Sequence, residues 1–193
     1  MISLSDLRKF KAEARKFSCL TCYDASMAKA MEIAQIDSIL IGDSLGMSIQ
    51  GRDSTLPVTV DDMAYHTAAV RRGNSHAFIM TDLPFMSYAT LNDALQNSRT
   101  VMQAGAQMVK MEGGAWLAET VEVLTRNGIP VCVHLGLTPQ SVHVLGGYKL
   151  QARTREAADQ LIRDCKAVVE AGAAVLLLEC VPAQLGQEIT ELF

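Results

Sequence analysis

Five ionisable side chains in this sequence each follow a short run of apolar residues. Asp43, Asp82, Glu112, His134 and Glu179 stand at the ends of these runs, and helix-length segments separate them. Carboxylates bind divalent cations, and both carboxylates and imidazoles exchange protons with substrates, so these residue types suit an enzyme active site. They can act together only if the fold brings the ends of the runs to one place.

The spacing of the runs predicts such a fold. Short aliphatic and β-branched runs that alternate with helical segments are typical of buried parallel strands. Six helices are predicted before the last strand, over residues 5–16, 26–35, 60–72, 91–104, 116–127 and 155–171. The first strand is predicted over residues 17–22, and a last helix begins near Pro182. In a parallel barrel the C-terminal ends of the strands meet at one rim, which would gather the five side chains.

Capping residues support the predicted helix ends. Thr90, followed by Asp93, and Thr154 precede helical segments and are predicted N-caps. Four glycines fall where helices favour a left-handed terminator: Gly73, Gly105, Gly128 and Gly172.

An internal repeat fixes the register of two of the strands. The segment 104–112 resembles the segment 171–179, because both begin with Ala-Gly-Ala and end with a glutamate. Glu112 and Glu179 therefore take equivalent strand-end positions, 67 residues apart, with the strand of His134 between them. One strand and its helix then occupy about 33 residues.

This unit length predicts an incomplete barrel. A (β/α)8 TIM barrel needs eight units and about 250 residues, and the 193 residues accommodate about six units. We expect an α/β protein with a single barrel domain over residues 1–193 that is truncated at its C-terminus. The alternative is a protein that needs another chain to cover the open edges of its sheet.

Composition excludes several functional classes. The chain has 17 basic and 21 acidic side chains and a formal charge of -4, so no basic surface is expected for nucleic acid or an anionic membrane. No apolar stretch approaches a membrane span, and a cytoplasmic protein is expected. The pair Cys19 and Cys22 falls in a predicted strand, where this spacing sends the two thiols to opposite faces and disfavours a zinc or redox site.

The three carboxylates at successive strand ends favour a metal site. Asp43, Asp82 and Glu112 offer hard oxygen ligands, which suit Mg²⁺ with water or substrate in the remaining positions. The alternative is that these side chains cap helices or accept hydrogen bonds from loop N–H groups.

Three further side chains complete the candidate site. Lys110 lies two residues before Glu112 on the same face of its strand, and a buried cation there calls for an anionic partner. His134 could donate to a carboxylate or an oxyanion, or be a satisfied core residue. Glu179 follows a run of apolar residues, and apolar surroundings favour a proton-transfer role; helix capping and metal ligation are the alternatives.

Together these groups suit one kind of reaction. A divalent cation, a lysine and a base around one cavity favour enolisation of a 2-oxo acid, because the cation and the lysine stabilise the charge of the enolate. The residues do not identify the electrophile that the enolate attacks.

Seven longer motifs resemble one family. They begin at Gly42 (GDSLGM), Gly51 (GRDSTLPVT), Ala64 (AYHTAAVRRG), Asp82 (DLPFM), Met108 (MVKMEGG), His134 (HLGLTPQ) and Gly146 (GGYK). In this order they closely resemble ketopantoate hydroxymethyltransferases, also called 3-methyl-2-oxobutanoate hydroxymethyltransferases, and the resemblance covers essentially the whole chain.

The resemblance implies a fold and a reaction. The fold is a (β/α)8 barrel of the phosphoenolpyruvate/pyruvate superfamily, and the family continues beyond the position of Phe193 with two further strands. The reaction transfers a hydroxymethyl group from 5,10-methylenetetrahydrofolate to 3-methyl-2-oxobutanoate. It gives 2-dehydropantoate for pantothenate and coenzyme A biosynthesis. Members of the family form large homo-oligomers, commonly decamers.

The resemblance also implies roles for individual residues. Asp43, Asp82 and Glu112 match the Mg²⁺ site, and Glu179 matches the proton acceptor. The substrate contacts match Asp43, Ser44, Asp82, Lys110 and His134. Two other functions stay open: a related metal-dependent 2-oxo-acid lyase or mutase, and a truncated homologue without catalytic activity.

Overall fold

A computed structural model describes all 193 residues as alternating helices and parallel strands. The six strands are β1 (Cys19–Thr21), β2 (Ser38–Ile41), β3 (Phe78–Asp82), β4 (Met108–Glu112), β5 (Val131–Gly136) and β6 (Val175–Glu179). The α-helices are α1 (Leu4–Ala12), α2 (Ala25–Ile33), α3 (Leu45–Ser48), α4 (Val60–Gly73), α5 (Leu91–Gln103), α6 (Ala118–Arg126), α7 (Val142–Leu145), α8 (Arg155–Glu170) and α9 (Ala183–Leu192). Two 3₁₀ turns, Ala115–Leu117 and Pro139–Ser141, precede α6 and α7.

The chain forms two compact units, Met1–Val109 and Lys110–Phe193. In the first unit β1, β2 and β3 are neighbours in chain order, and both pairs are parallel, with Ser38 opposite Cys19 and Phe78. In the second unit β5 and β6 pair in parallel. Strand β4 begins in the first unit and ends in the second.

Helix α4 illustrates how the first unit is built. Thr59 and Asp62 form a reciprocal capping box at its N-terminus, which satisfies two main-chain donors. Met63, Thr67 and Val70 are buried at helical spacing and form the inner face of the helix. Of the predicted terminator glycines, Gly73 is an exception, because it lies inside α4 and lacks a positive φ. A Cβ at Gly73 would lie 2.3 Å from the carbonyl oxygen of Ala25, so glycine permits close approach to the start of α2.

Helix α8 of the second unit likewise has a capped N-terminus and a buried face. The Thr154 hydroxyl accepts from the main-chain N–H of Ala157 and caps the helix, as predicted. Leu161, Cys165 and Val168 are its buried residues. The other predicted terminators adopt the left-handed conformation, with φ of 120° at Gly105, 82° at Gly128 and 106° at Gly172. The predicted N-cap Thr90 likewise accepts from the N–H of Asp93.

The predicted elements are confirmed in kind and order, with shifted boundaries. Helix α1 ends at Ala12 rather than at residue 16, and β1 covers only Cys19–Thr21 of the predicted 17–22. His134 lies inside β5 rather than at its end, because Leu135 and Gly136 continue to pair with β6. No helix combines the length and the apolar character needed to cross a membrane.

Candidate active site

Two predicted carboxylates lie side by side in the first unit. Asp82 is the last residue of β3, and Asp43 lies two residues after β2. Both are almost completely buried. The main-chain N–H of Asp43 donates a hydrogen bond to Oδ2 of Asp82 at 3.0 Å, which orients the Asp82 carboxylate towards the end of the neighbouring strand.

The next residue along the chain, Ser44, is half-buried and folds back over Gly42. A Cβ at Gly42 would lie 2.9 Å from Ser44 Oγ, so glycine leaves the space that the hydroxyl occupies. Ser44 Oγ lies 2.8 Å from the hydroxyl of Tyr23. Tyr23 was not predicted from the sequence as a residue of the site. It stands two residues after β1, as Asp43 stands two residues after β2, and this equivalent strand-end position is the signal that could have found it.

The second unit gathers the other four predicted residues. Lys110 and Glu112 both lie on β4, two residues apart and therefore on one face, with Nζ 3.7 Å from Oε1. His134 on β5 places its Nδ1 3.2 Å from the lysine nitrogen and 3.3 Å from the same glutamate oxygen. All three side chains are buried.

The other oxygen of Glu112 is held by the main chain. The N–H of Gln140, in the 3₁₀ turn Pro139–Ser141 that follows β5, donates to Oε2 at 2.9 Å. Glu112 therefore uses its two oxygens differently: Oε1 faces the cationic groups and Oε2 accepts from a loop. This amide could not be found from sequence, because every residue except proline carries a main-chain N–H.

For both Glu112 and His134, burial and the neighbouring groups have opposite effects on the pKa. Burial alone would raise the pKa of Glu112, but the hydrogen bond from His134, the Lys110 charge and the Gln140 amide outweigh it and lower the pKa. Burial alone would lower the pKa of His134, but the carboxylates of Glu112 and Glu179 outweigh it and raise the pKa. The carboxylates thus favour the charged form of the imidazole, and the imidazole and the lysine favour the charged form of Glu112.

Glu179 is the last residue of β6 and faces the other side of the imidazole. Its Oε2 lies 3.3 Å from His134 Nε2, and 39% of its side chain is exposed. These surroundings differ from the apolar environment expected from the preceding residues. The exposed side chain can reach a substrate, and its contact with His134 links it to the buried part of the cluster.

The predicted residues therefore form two clusters. Asp43, Ser44 and Asp82 lie together in the first unit, and Lys110, Glu112, His134 and Glu179 lie together in the second. The structure contains no group of three or more His, Cys, Asp or Glu side chains arranged to hold a metal ion. The proposed set of Asp43, Asp82 and Glu112 fits Mg²⁺ in its chemistry, as an all-oxygen donor set, and stays a prediction.

The fold identifies the class of protein. A solved structure of 2,3-dimethylmalate lyase, described as a PEP mutase/isocitrate lyase superfamily member, matches with a TM-score of 0.71 at 16% identity, over 99% of this chain and 66% of that one. A phosphonopyruvate hydrolase structure with oxalate and Mg²⁺ matches with a TM-score of 0.71 at 14% identity, over 93% of this chain and 63% of that one. The chain thus belongs to the class of TIM-barrel proteins, as a partial barrel with six parallel strands, as predicted.

Sequence similarity narrows the class to one family. Residues 1–193 match the ketopantoate hydroxymethyltransferase family, and the chain belongs to it. The 3-methyl-2-oxobutanoate hydroxymethyltransferase of Acinetobacter baumannii strain AYE is 90% identical over all 193 residues, which span 72% of that relative. The enzyme of the same name from Psychrobacter sp. strain PRwf-1 is 64% identical over 191 residues, which span 71% of it.

Proposed function

We propose that this protein is a 3-methyl-2-oxobutanoate hydroxymethyltransferase, which transfers a hydroxymethyl group from 5,10-methylenetetrahydrofolate to the oxo acid and forms 2-dehydropantoate. The observation that carries the proposal is the 90% identity to a relative of that name along the entire chain. The two clusters add the required chemistry, since they supply carboxylates, a buried lysine and a partly exposed glutamate.

We propose a single barrel domain over residues 1–193. Lys110 and Glu112 lie at the end of strand β4. Asp82 also ends its strand, as does Glu179, and the C-terminal ends of parallel barrel strands carry the active sites of this fold.

The metal of this family would be held by Asp43, Asp82 and Glu112, and we propose Mg²⁺. The three side chains are buried and supply only oxygen atoms, which magnesium prefers. When bound, the ion would stabilise the negative charge that develops on the oxo acid as the enolate forms.

The protein's own residues have separate tasks in this proposal. Lys110 and the hydroxyl of Ser44 bind the oxygens of the oxo acid, and Lys110 also offsets negative charge. Glu179 removes the proton from C3, and the enolate forms a bond to the one-carbon unit; the bonds from that carbon to the folate nitrogens break, water supplies the hydroxyl oxygen, and tetrahydrofolate leaves. His134 Nε2 lies 3.3 Å from Glu179 Oε2, and its charge acts on that carboxylate from the buried side.

The test is product formation. The protein is incubated with 3-methyl-2-oxobutanoate, 5,10-methylenetetrahydrofolate and Mg²⁺, and 2-dehydropantoate is measured by mass spectrometry, with the Acinetobacter baumannii relative as positive control. We expect product that requires both the folate and the metal. Cleavage of an oxo acid without folate would instead indicate a lyase or mutase, and binding of the oxo acid without product would indicate a non-catalytic homologue.

Two broader properties complete the proposal. We place the protein in the cytoplasm, and its five cysteines, none of which forms a disulfide, are consistent with a reducing compartment. We also propose a homo-oligomer, a decamer by resemblance to the family. The large exposed side chain of Trp116, at 66% exposure, is a candidate for its contacts. Cell fractionation and light scattering test the two statements.

A further inference from the structure

We infer that Tyr23 is a positioning residue for substrate binding, which acts by holding the hydroxyl of Ser44 in a fixed place. The inference rests on the proposed function and deepens it, because it adds a residue that follows β1 to the site. The central observation is the 2.8 Å hydrogen bond between the Tyr23 hydroxyl and Ser44 Oγ.

The hydroxyl of Ser44 does not cap the helix that follows it. Ser44 is the N-cap of the short helix α3, where a serine side chain normally accepts a hydrogen bond from the first turn. Here it makes no such bond and instead turns to Tyr23. The hydroxyl is therefore held towards the carboxylates of the first unit rather than used to stabilise the helix.

The position of Tyr23 is fixed by helix α4. Nδ1 of His66 lies 2.7 Å from the carbonyl oxygen of Tyr23, and since a carbonyl only accepts, the imidazole donates from Nδ1. The rings of Tyr23 and His66 also pack edge to face, with centroids 6.4 Å apart. Both the main chain and the ring of Tyr23 are thus anchored, and the phenol has little freedom to leave Ser44.

The geometry places this pair next to the predicted metal carboxylates. An ideal Cβ at Gly42 would lie 2.9 Å from Ser44 Oγ, 3.6 Å from Asp82 Oδ2 and 3.7 Å from the Tyr23 hydroxyl. The three polar groups thus surround one small space at Gly42. If Tyr23 donates its proton to Ser44, the serine retains its own proton and can donate it to an oxygen of the oxo acid.

A double-mutant cycle tests the inference. The variants are Tyr23→Phe, Ser44→Ala and the double variant. The matched control is Tyr65→Phe, whose exposed ring packs edge to face against His66. For each protein the dissociation constant for 3-methyl-2-oxobutanoate is measured by calorimetry with Mg²⁺, and KM and kcat are measured in the product assay.

We expect Tyr23→Phe to raise the dissociation constant and KM roughly 3- to 10-fold, the effect of losing one neutral hydrogen bond, with a much smaller change in kcat. In the Ser44→Ala background the same change should add nothing, because Tyr23 acts only through the serine. Tyr65→Phe should bind and react as the wild type does.

Two results would overturn the inference while leaving the proposed function intact. One is unchanged affinity in Tyr23→Phe, and the other is full additivity with Ser44→Ala. If the wild type and Tyr65→Phe neither bind nor convert the oxo acid, the proposed function itself fails and the role of Tyr23 fails with it. Circular dichroism of each variant confirms that a loss of affinity is not a loss of folding.

Discussion

The main-chain N–H of Asp43 donates to the carboxylate of Asp82 at 3.0 Å, although 39 residues separate them in sequence. The contact joins the segment after β2 to the end of β3 and orients the Asp82 carboxylate. A side chain held in this way needs little reorganisation to bind a ligand, which is the property expected of a preorganised site.

The first prediction concerns this aspartate. Asp82→Asn should weaken Mg²⁺ and 3-methyl-2-oxobutanoate binding together, each by about tenfold or more, because in the proposed site the ion joins the protein to the substrate. Calorimetry measures both affinities. Asp61→Asn, at an exposed acidic residue in the first turn of α4, is the matched control and should change neither. Loss of oxo-acid binding with full retention of Mg²⁺ binding would remove Asp82 from the ligand set.

The second prediction concerns Lys110. Lys110→Met keeps the volume and removes the charge, so the dissociation constant for the oxo acid should rise about tenfold or more while the protein remains folded. Lys166→Met, at an exposed lysine of α8, should leave binding unchanged. An unfolded Lys110→Met protein, or a folded one with wild-type affinity, would assign the lysine a structural role with Glu112.

The third prediction concerns pH. The pKa of His134 is raised above its ordinary value of 6.5, so its contribution to the free energy of unfolding is fully present below pH 6.5 and is lost as pH rises through the folded-state pKa. The pKa of Glu112 is lowered from 4.5, so its contribution is present above pH 4.5 and is lost as pH falls through the folded-state value.

Chemical denaturation in EDTA measures this effect. The stability difference between the wild type and His134→Asn should be larger at about pH 5.5 than at about pH 8.5, because the protonated imidazole stabilises the folded state between two carboxylates. His143→Asn, at an exposed histidine of α7, controls for histidine titration in general. If the contribution of His134 to the free energy of unfolding instead grew with pH, the imidazole would be buried in its neutral form.

The fourth prediction compares two helical glycines. Gly73→Ala should destabilise the protein, because the new methyl group would lie 2.3 Å from the carbonyl oxygen of Ala25. Gly186→Ala in α9 should stabilise it by roughly 0.5–1 kcal/mol, since its Cβ meets only Val181, at an ordinary 3.8 Å, and alanine is the better helix former. Thermal unfolding measures both. If both variants changed the melting temperature equally and in the same direction, Gly73 would not be required for the close approach of α2.

Strand ends were predictable where the apolar pattern is strong. Asp82, Glu112 and Glu179 end well-defined aliphatic runs, and the structure places them at the last residues of β3, β4 and β6. The predicted end of β5 was wrong. The apolar pattern indicated a boundary at the polar residue His134, but Leu135 and Gly136 continue to pair with β6.

Other features of the site could not be predicted from residue types. Tyr23 follows a strand of only three exposed residues, which carries no hydrophobic pattern, and its partner Ser44 is distant in sequence. The Gln140 amide is a main-chain group without a sequence signal. The surroundings of Glu179 depend on a histidine from another strand, so the preceding apolar residues were a poor guide to them.

The most direct test of the account is exchange of the C3 hydrogen of 3-methyl-2-oxobutanoate with solvent deuterium, followed by NMR in the wild type and in Glu179→Gln. Glutamine keeps the size of the side chain and removes the base. We expect exchange by the wild type that depends on Mg²⁺, an exchange rate lower by about 10²–10⁴-fold in Glu179→Gln, and retained oxo-acid binding by calorimetry. Exchange at the wild-type rate in Glu179→Gln would contradict the assignment of the base, and absence of both exchange and hydroxymethyl product in the wild type would contradict the proposed function.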